Sequence, residues 1–200
     1  MTDHPLLILV LIAGTGWLFR LWLHDLRDAR KNTPNPRAFP GATPANFRVV
    51  ALAVGGALLI VAAETLSEIH FGTVSEQSTL TALYAAYTLL CAPVWEEIVF
   101  RGYFVVTKRG PAVKWAAAIA VSLAFAITHA YAWDGFHLNL TTQSLITTLS
   151  IFATSLWLYA MRFSKLNPAQ SLIPCVAAHF ARNAFVILIK AAQGHLAGWW

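Results

Sequence analysis

Two adjacent carboxylates, Glu96 and Glu97, lie in an apolar stretch of the chain, and Arg101 follows four residues after the second. Ionisable side chains are costly in hydrocarbon, so they usually mark chemistry, conduction or a buried ion pair. Residues four apart share one helix face, so Arg101 is expected to neutralise Glu97. Glu96 points about 100° away from its neighbour on a helix of 3.6 residues per turn. That direction leaves Glu96 free to face a cavity and act as a general base.

Two further polar pairs occur in later apolar stretches, each at a spacing of four residues. Phe125 precedes His129, and His179 precedes Asn183. An imidazole near Glu96 can orient a water molecule or share its proton, which is the role expected of His129, with Phe125 packing against its ring. His179 and Asn183 offer two donors on one helix face, which can stabilise the oxyanion of a tetrahedral intermediate. These residue types predict hydrolysis.

Each of these features also has a purely structural explanation. A Glu–Arg pair can serve structure alone in a membrane helix, and an asparagine such as Asn183 can bridge helices through its amide. The functional interpretation is favoured because Glu96, His129 and His179 are each expected roughly 18–21 Å from a cytoplasmic turn, at 1.5 Å per residue. All three would then lie at one depth. Arg182, beside Asn183, is expected to face the same cavity or a carboxylate.

The composition is that of an integral membrane protein. Of the 200 residues, 58% are hydrophobic and 12% are charged, whereas soluble domains average about 25% charged residues. The net charge of +5 is unevenly distributed and gives no indication of a nucleic-acid partner. Cys91 and Cys175 lie in apolar segments, where thiols are usually inert packing groups.

Six apolar stretches are long enough to cross a membrane, since about 20 helical residues span a core of ~30 Å. Backbone groups in lipid must bond within their own segment, so these stretches are expected to be helices. The sequence therefore predicts an all-α polytopic membrane helix bundle, with about six transmembrane helices and a polar site near the bilayer midplane. The predicted spans are Pro5–Leu23, Phe47–Leu66, Leu80–Phe104, Trp115–Trp133, Leu140–Met161 and Ser171–Ile189.

Three regions are predicted along the chain. Residues 1–79 would form the first two transmembrane helices with a basic cytoplasmic connection, residues 80–190 a catalytic helical core, and residues 191–200 an outward-facing tail. Residues 1–5 lack the basic start of a cleavable signal peptide, so the first segment is expected to remain as an anchor. The connection 24–48 is rich in proline, which favours extended backbone and turns. We expect a solvated linker there, with contact to anionic lipid headgroups as the alternative.

The distribution of basic residues predicts the orientation in the membrane. Connections 67–79 and 134–139 contain no Lys or Arg, whereas the alternate connections are basic. The positive-inside rule then makes the basic connections cytoplasmic and both termini outward, as in a bacterial inner membrane. Lys190 is the exception, and its side chain can reach water from a helix end. The basic residues concerned are Arg27, Arg30, Lys31, Arg37, Arg48, Lys108, Arg109, Lys114, Arg162 and Lys165.

The three motifs resemble those of a known family. Glu-Glu-x-x-x-Arg, Phe-x-x-x-His and His-x-x-x-Asn, in this order, are similar to the motifs of the CPBP family, which comprises the type II CAAX prenyl endopeptidases and the bacterial Abi proteins. The resemblance covers residues 80–190 and implies an intramembrane endopeptidase of the glutamic type. The implied roles are water activation by Glu96 with His129, support of the site by Glu97 and Arg101, and an oxyanion hole formed by His179 and Asn183.

The resemblance leaves two chemistries open. The chain lacks the helical zinc motif His-Glu-x-x-His. A zinc ion would have Glu96, His129 and His179 as ligands, the two-histidine, one-glutamate set of some catalytic sites. Metal-free chemistry without a cofactor is favoured, because His179 and Asn183 then serve as donors.

The expected partners are membrane lipid and a membrane-associated peptide or protein substrate. No sequence feature selects a prenyl group, and none indicates an oligomeric state. A non-catalytic membrane scaffold or bacteriocin-immunity-type protein of the same fold is the alternative, although a scaffold would not need a full set of catalytic-type residues. A transporter is disfavoured because the chain shows no inverted repeat.

Overall fold

A computed structural model describes residues 4–33 and 35–199 of the chain. Within those ranges the chain forms α-helices, one π-helical segment, two 3₁₀ turns and a small antiparallel hairpin. The α-helices are α1 (Pro5–Arg30), α2 (Phe47–Phe71), α3 (Ala82–Leu90), α4 (Ala92–Glu96), α5 (Gly110–Ile127), α6 (Thr142–Arg162) and α7 (Ile173–Ala192). The π-helical segment is Glu97–Tyr103, the 3₁₀ turns are Val74–Glu76 and Ala130–Ala132, and the strands are β1 (Trp133–Asp134) and β2 (His137–Leu138).

Six helical stretches of the described chain are long and apolar enough to cross a membrane, which confirms the predicted number. Large apolar side chains such as Leu59 and Leu188 point out of the bundle, as lipid-facing residues do. The predicted all-α polytopic bundle is therefore confirmed, and the protein is a multi-pass membrane protein. The stretches are Pro5–Arg30, Phe47–Phe71, Ala82–Tyr103, Gly110–Ile127, Thr142–Arg162 and Ile173–Ala192.

The third membrane span is not a continuous α-helix. It consists of α3, α4 and the π-helical segment, which begins at Glu97. Pro93 has no backbone N–H, so it interrupts the hydrogen-bond ladder where α4 begins. A side chain from α6 supports the wider π-helical turns, since the Tyr159 hydroxyl donates to the carbonyl of Phe100 and lies 3.1 Å from the carbonyl of Phe104. π-Helical turns are rare and often occur at functional sites.

The fourth span ends earlier than the sequence predicted. α5 stops at Ile127, and His129 has extended backbone angles of φ −78° and ψ 142°. Side chains donate hydrogen bonds to the last carbonyls of this helix. The Thr128 hydroxyl donates to the carbonyl of Phe125, and the Trp133 indole donates to the carbonyl of Ile127. The predicted helix through Trp133 is therefore wrong, and His129 lies just beyond the helix.

α2 and α6 approach one another closely in the middle of the bundle. A Cβ atom on Gly56 of α2 would overlap the indole ring of Trp157 in α6. The same indole donates a hydrogen bond of 2.9 Å to the carbonyl of Ala53. Glycine at position 56 therefore permits the packing that brings the polar residues of α2 towards those of α6 and α7.

The 35–46 loop, between α1 and α2, is packed into one end of the bundle. Ala42 is buried in the main core, and the N–H of Phe39 donates to the Asp25 carboxylate. The carbonyl of Gly41 accepts from the N–H of Leu172, and the carbonyl of Thr43 accepts from the hydroxyl of Ser171. The expectation of a solvated linker is wrong for this loop, because long-range hydrogen bonds and apolar burial hold it. Pro34, one of the prolines of the predicted connection 24–48, lies outside the described residues.

Candidate active site

A cavity within the helix bundle brings the three sequence motifs together. Most of its wall comes from α2, the third span, α6 and α7. Of the predicted site residues, Glu97 lies behind the wall and is fully buried. The others border the cavity: Glu96, Arg101, His129, His179 and Asn183.

Glu97 joins two of the motifs through a shared carboxylate oxygen. Its Oε1 lies 3.0 Å from Nη1 of Arg101 and 2.7 Å from Nδ1 of His179. The Glu97 and Arg101 side chains are both 0% exposed. A buried carboxylate requires charged or hydrogen-bonding partners, and Glu97 has both. The ion pair expected from the four-residue spacing is therefore present, and Glu97 also orients the His179 ring.

Arg101 is held on three sides. Besides its ion pair, Nη2 donates to the Ser155 hydroxyl at 2.6 Å, and Ser155 donates to Ser122 at 2.9 Å. The guanidinium carbon lies 4.7 Å from the centre of the Phe125 ring, the geometry of a cation–π contact. Residues of α5 and α6 therefore fix the cation that supports Glu97.

Unlike Glu97, Glu96 has a carboxylate that is not engaged in hydrogen bonds with the described residues. Its side chain is 13% exposed, and it has no hydrogen bond to any described residue. Its Oε2 atom lies 3.9 Å from Nε2 of His179, which is too far for a hydrogen bond. The carboxylate can therefore accept hydrogen bonds from water in the cavity, as a general base must.

His129 presents an unprotonated nitrogen to the cavity. Its Nδ1 atom lies 2.7 Å from the carbonyl of Phe125, so Nδ1–H donates and Nε2 is left as an acceptor. Burial lowers the pKa of His129 to about 4, although the hydrogen bond to Phe125 opposes that shift. The ring also packs edge-to-face on Phe125, with 4.8 Å between ring centres. Among the described residues no hydrogen bond joins His129 to Glu96, so a water molecule would have to lie between them.

His179 and Asn183 lie one turn apart on α7, but each is already partly engaged. Nδ1 of His179 is held by Glu97, so only Nε2 is directed towards Glu96. The Asn183 amide donates a 2.8 Å hydrogen bond to the carbonyl of Thr88 in α3. This contact is the helix-bridging role considered from the sequence, and it leaves one amide N–H for the cavity.

Arg182 and Glu64 form a second buried ion pair beside the site. Nη2 of Arg182 lies 3.1 Å from Oε2 of Glu64, and Nε donates to the Thr154 hydroxyl at 3.2 Å. Ser150 donates to the same Glu64 oxygen at 2.6 Å. Arg182 therefore faces both the cavity and a carboxylate, as expected. Sequence reasoning missed Glu64, although it lies inside a predicted apolar span and so meets the criterion that identified Glu96.

A polar cluster lines the cavity farther from Glu96, and sequence reasoning did not predict it. The Glu68 carboxylate accepts from Gln143 at 2.7 Å and from Gln77 at 2.6 Å. Nζ of Lys190 donates to the carbonyl of Ser78 at 2.6 Å. We call these residues the Glu68 cluster: Glu68, Gln77, Gln143 and Lys190. Glu68 lies two residues beyond a predicted span, where a carboxylate is unremarkable in sequence.

A zinc centre at this site would draw on Glu96, His129 and His179. In the described parts of the chain, no group of three or more His, Cys, Asp or Glu side chains is arranged to hold a metal ion. His179 is hydrogen-bonded through Nδ1 to Glu97 and His129 through Nδ1 to a backbone carbonyl, so Nε2 of each ring is the atom that would bind a metal ion. Metal-free chemistry stays a prediction.

Ionisable glutamate, histidine and arginine side chains buried inside a multi-pass helical bundle mark a functional site within the membrane. A family model described as type II CAAX prenyl endopeptidase Rce1-like matches residues 78–185. The match covers more than half of the 200 residues and contains all three motifs, so the chain belongs to this family of intramembrane proteases. The resemblance to the CPBP family is thereby confirmed. No curated protein and no solved structure matches the chain.

Proposed function

We propose that this protease is of the glutamic type and cuts membrane-associated peptides or proteins without a metal ion. The observation that carries the proposal is the environment of the Glu96 carboxylate. This carboxylate is open to the cavity, has no hydrogen bond to a described residue and lies close to a histidine oriented by Glu97. Glu96 is the carboxylate of the three motifs that is free to accept a proton from water.

In the proposed first step, Glu96 takes one proton from a water molecule while Nε2 of His129 accepts a hydrogen bond from the other. The water oxygen attacks the carbonyl carbon of the scissile peptide bond. The C–O bond forms, and the carbonyl oxygen takes the negative charge. Glu96 then passes its proton to the amide nitrogen, the C–N bond breaks, and a carboxylic acid and an amine leave. General base catalysis of this kind contributes about 10²–10⁴-fold.

The developing oxyanion would be stabilised from α7. Glu97 accepts a hydrogen bond from Nδ1 of His179 and orients the ring, and in the proposed scheme Nε2–H of His179 donates to the oxyanion. The remaining amide N–H of Asn183 is the second donor. Loss of one such donor typically costs about 2.7–4 kcal/mol of transition-state stabilisation. Glu97 and Arg101 take no part in bond making in this scheme, and they hold His179 in place.

The setting is proposed from charge and composition. Both termini would face outward from a bacterial inner membrane, with lipid around the bundle and a peptide or protein substrate in the cavity. The distribution of basic residues supports this orientation. Residues 80–190 are proposed as the catalytic core, although Glu64 from the region before them also borders the cavity.

The test compares the membrane peptidomes of host cells that carry the wild type, Glu96→Gln or Glu76→Gln, by mass spectrometry of chain ends. Glu76 is an exposed glutamate at the edge of the cavity, so its variant is the matched control. We expect shortened chains with the wild type and Glu76→Gln, and their loss with Glu96→Gln. Identical peptidomes from all three folded proteins would overturn the proposal and favour a scaffold or immunity protein.

A further inference from the structure

We propose that the cavity is open at one end only, and that substrate and water reach Glu96 from the face of the membrane opposite the basic connections. The substrates are then polypeptide segments exposed on the non-cytoplasmic side of the membrane. This inference rests on the proposed function for the substrate. The direction of entry rests on the cavity lining together with the distribution of basic residues.

The lining of the cavity runs from the site towards one end of the bundle. It includes Glu68 near the end of α2, Gln143 near the start of α6 and Lys190 near the end of α7. It also includes residues 76–78 of the connection between α2 and α3. No described residue of 35–46, 104–109 or 163–172, the connections at the opposite end, borders the cavity.

The opposite end is filled by the 35–46 loop. A Cβ atom on Gly41 would lie 2.6 Å from Cγ of Leu172, and one on Gly102 would lie 3.3 Å from Cβ of Pro40. Gly41 has φ +66°, a left-handed conformation that favours glycine and lets the loop turn against Leu172. Such close packing leaves no passage for a peptide between this end and the site.

The side chains on the two sides of the site differ in polarity, and the difference agrees with entry of water and substrate from the open end. Hydrolysis consumes one water molecule per bond, so the site must be supplied with water inside the membrane. The Glu68 cluster and the Glu64–Arg182 pair line the route from the open end with hydrogen-bonding groups. Between the site and the closed end lie apolar side chains such as Leu158 and Leu172, both at most 1% exposed.

Charge then assigns the two ends to the two sides of the membrane. The connections at the closed end carry Arg37, Lys108, Arg109 and Lys165. Those at the open end, residues 72–81 and 128–141, carry no Lys or Arg but include Glu76 and Asp134. Basic connections stay in the cytoplasm, so the open end faces outward.

The test measures the reactivity of single added cysteines with a small, permanently cationic methanethiosulfonate reagent that does not cross membranes. Thr65→Cys lies in the cavity wall, Ser78→Cys at its open end and Lys165→Cys in an exposed position at the closed end. The native Cys91 and Cys175 are 3% and 0% exposed, so the unmodified protein gives the background. Each variant is labelled in intact spheroplasts and in inverted membrane vesicles.

We expect Thr65→Cys and Ser78→Cys to react in spheroplasts, and Lys165→Cys to react only in inverted vesicles. Reaction of Thr65→Cys in inverted vesicles alone would overturn the inference, as would its failure to react from outside while Ser78→Cys does. Both results come from thiol labelling and do not require that the protein cleaves a substrate. Failure of this inference is therefore distinguishable from failure of the proposed function. Where cleavage is observed, attaching a bulky thiol reagent at Ser78→Cys should abolish it, whereas attachment at Lys165→Cys should leave it unchanged.

Discussion

At the scale of single residues, the two adjacent glutamates have opposite surroundings. Glu97 is fully buried and bonded to Arg101 and His179, whereas Glu96 borders the cavity and bonds to no described residue. A buried ion pair destabilises the fold strongly when one partner is lost, because the other charge is left without compensation. The two positions should therefore separate stability from activity.

We predict that Glu97→Gln lowers the free energy of unfolding by about 3–5 kcal/mol, the range for breaking a buried pair. Glu96→Gln removes no described hydrogen bond and should leave stability nearly unchanged while abolishing cleavage. Thermal unfolding of both purified variants in the same lipid or detergent is the measurement. Equal stability of the two variants would contradict the structural role assigned to Glu97.

His129 should make stability depend on pH. Its pKa is lowered by burial to about 4 in the folded protein, whereas an unfolded histidine titrates near about 6.5. Between these values the unfolded chain binds the extra proton, so stability should fall as pH drops from about 6.5 to about 4, with no contribution from His129 above that window. The unfolding midpoint should fall less over this range in His129→Gln than in the wild type. Parallel profiles would show that His129 does not remain neutral when buried.

At the scale of elements, the contact between α2 and α6 places Glu64 beside Arg182. The contact depends on Gly56, because any side chain there would meet Trp157. Gly55, one residue earlier, has no atom within 4 Å of a Cβ built on it. The two neighbouring glycines therefore form a matched pair for testing the contact.

We predict that Gly56→Ala destabilises the bundle by about 1–3 kcal/mol, the usual result of overpacking. Gly55→Ala should instead be neutral or stabilising by up to roughly 1 kcal/mol, since alanine is the better helix former. Chemical unfolding of both variants under one set of conditions measures the difference. If both substitutions behaved alike, the close approach of α2 and α6 would be wrong.

The third span shows how an interrupted helix can serve a site. Its π-helical segment carries Glu97 and Arg101, and the change of helix type occurs between Glu96 and Glu97. Donors from α6 satisfy the carbonyls of this segment, among them Arg162 Nε, which bonds the carbonyl of Arg101. The segment is thus supported by its neighbour, as irregular backbone at membrane depth must be.

At the scale of the whole molecule, the lining of the cavity extends from the site towards the end of the bundle whose connections carry no Lys or Arg. We predict that a reporter enzyme that is active only outside the cytoplasm will be active when fused after the C-terminus. The same reporter should be inactive when inserted in the exposed connection at Lys165. The reason is that the positive-inside rule places the two positions on opposite sides. Reporter activity at Lys165 but not at the C-terminus would show that the orientation in the membrane is the opposite of the one predicted.

The sequence by itself determined the number of spans and the pairing of Glu97 with Arg101. Both depend on local properties, since a span needs only length and apolarity, and a pair four residues apart needs only helical geometry. The number of spans and the Glu97–Arg101 pair were therefore predicted correctly.

Only the tertiary structure decided how those residues meet. In the folded chain His179 is hydrogen-bonded to Glu97, Asn183 is hydrogen-bonded to the carbonyl of Thr88, and Arg182 forms an ion pair with Glu64. The tertiary structure also ended α5 before His129 and packed the 35–46 loop into one end of the bundle. These outcomes depend on which helix faces pack together, and such contacts join residues far apart in sequence, where local spacing carries no information about their partners.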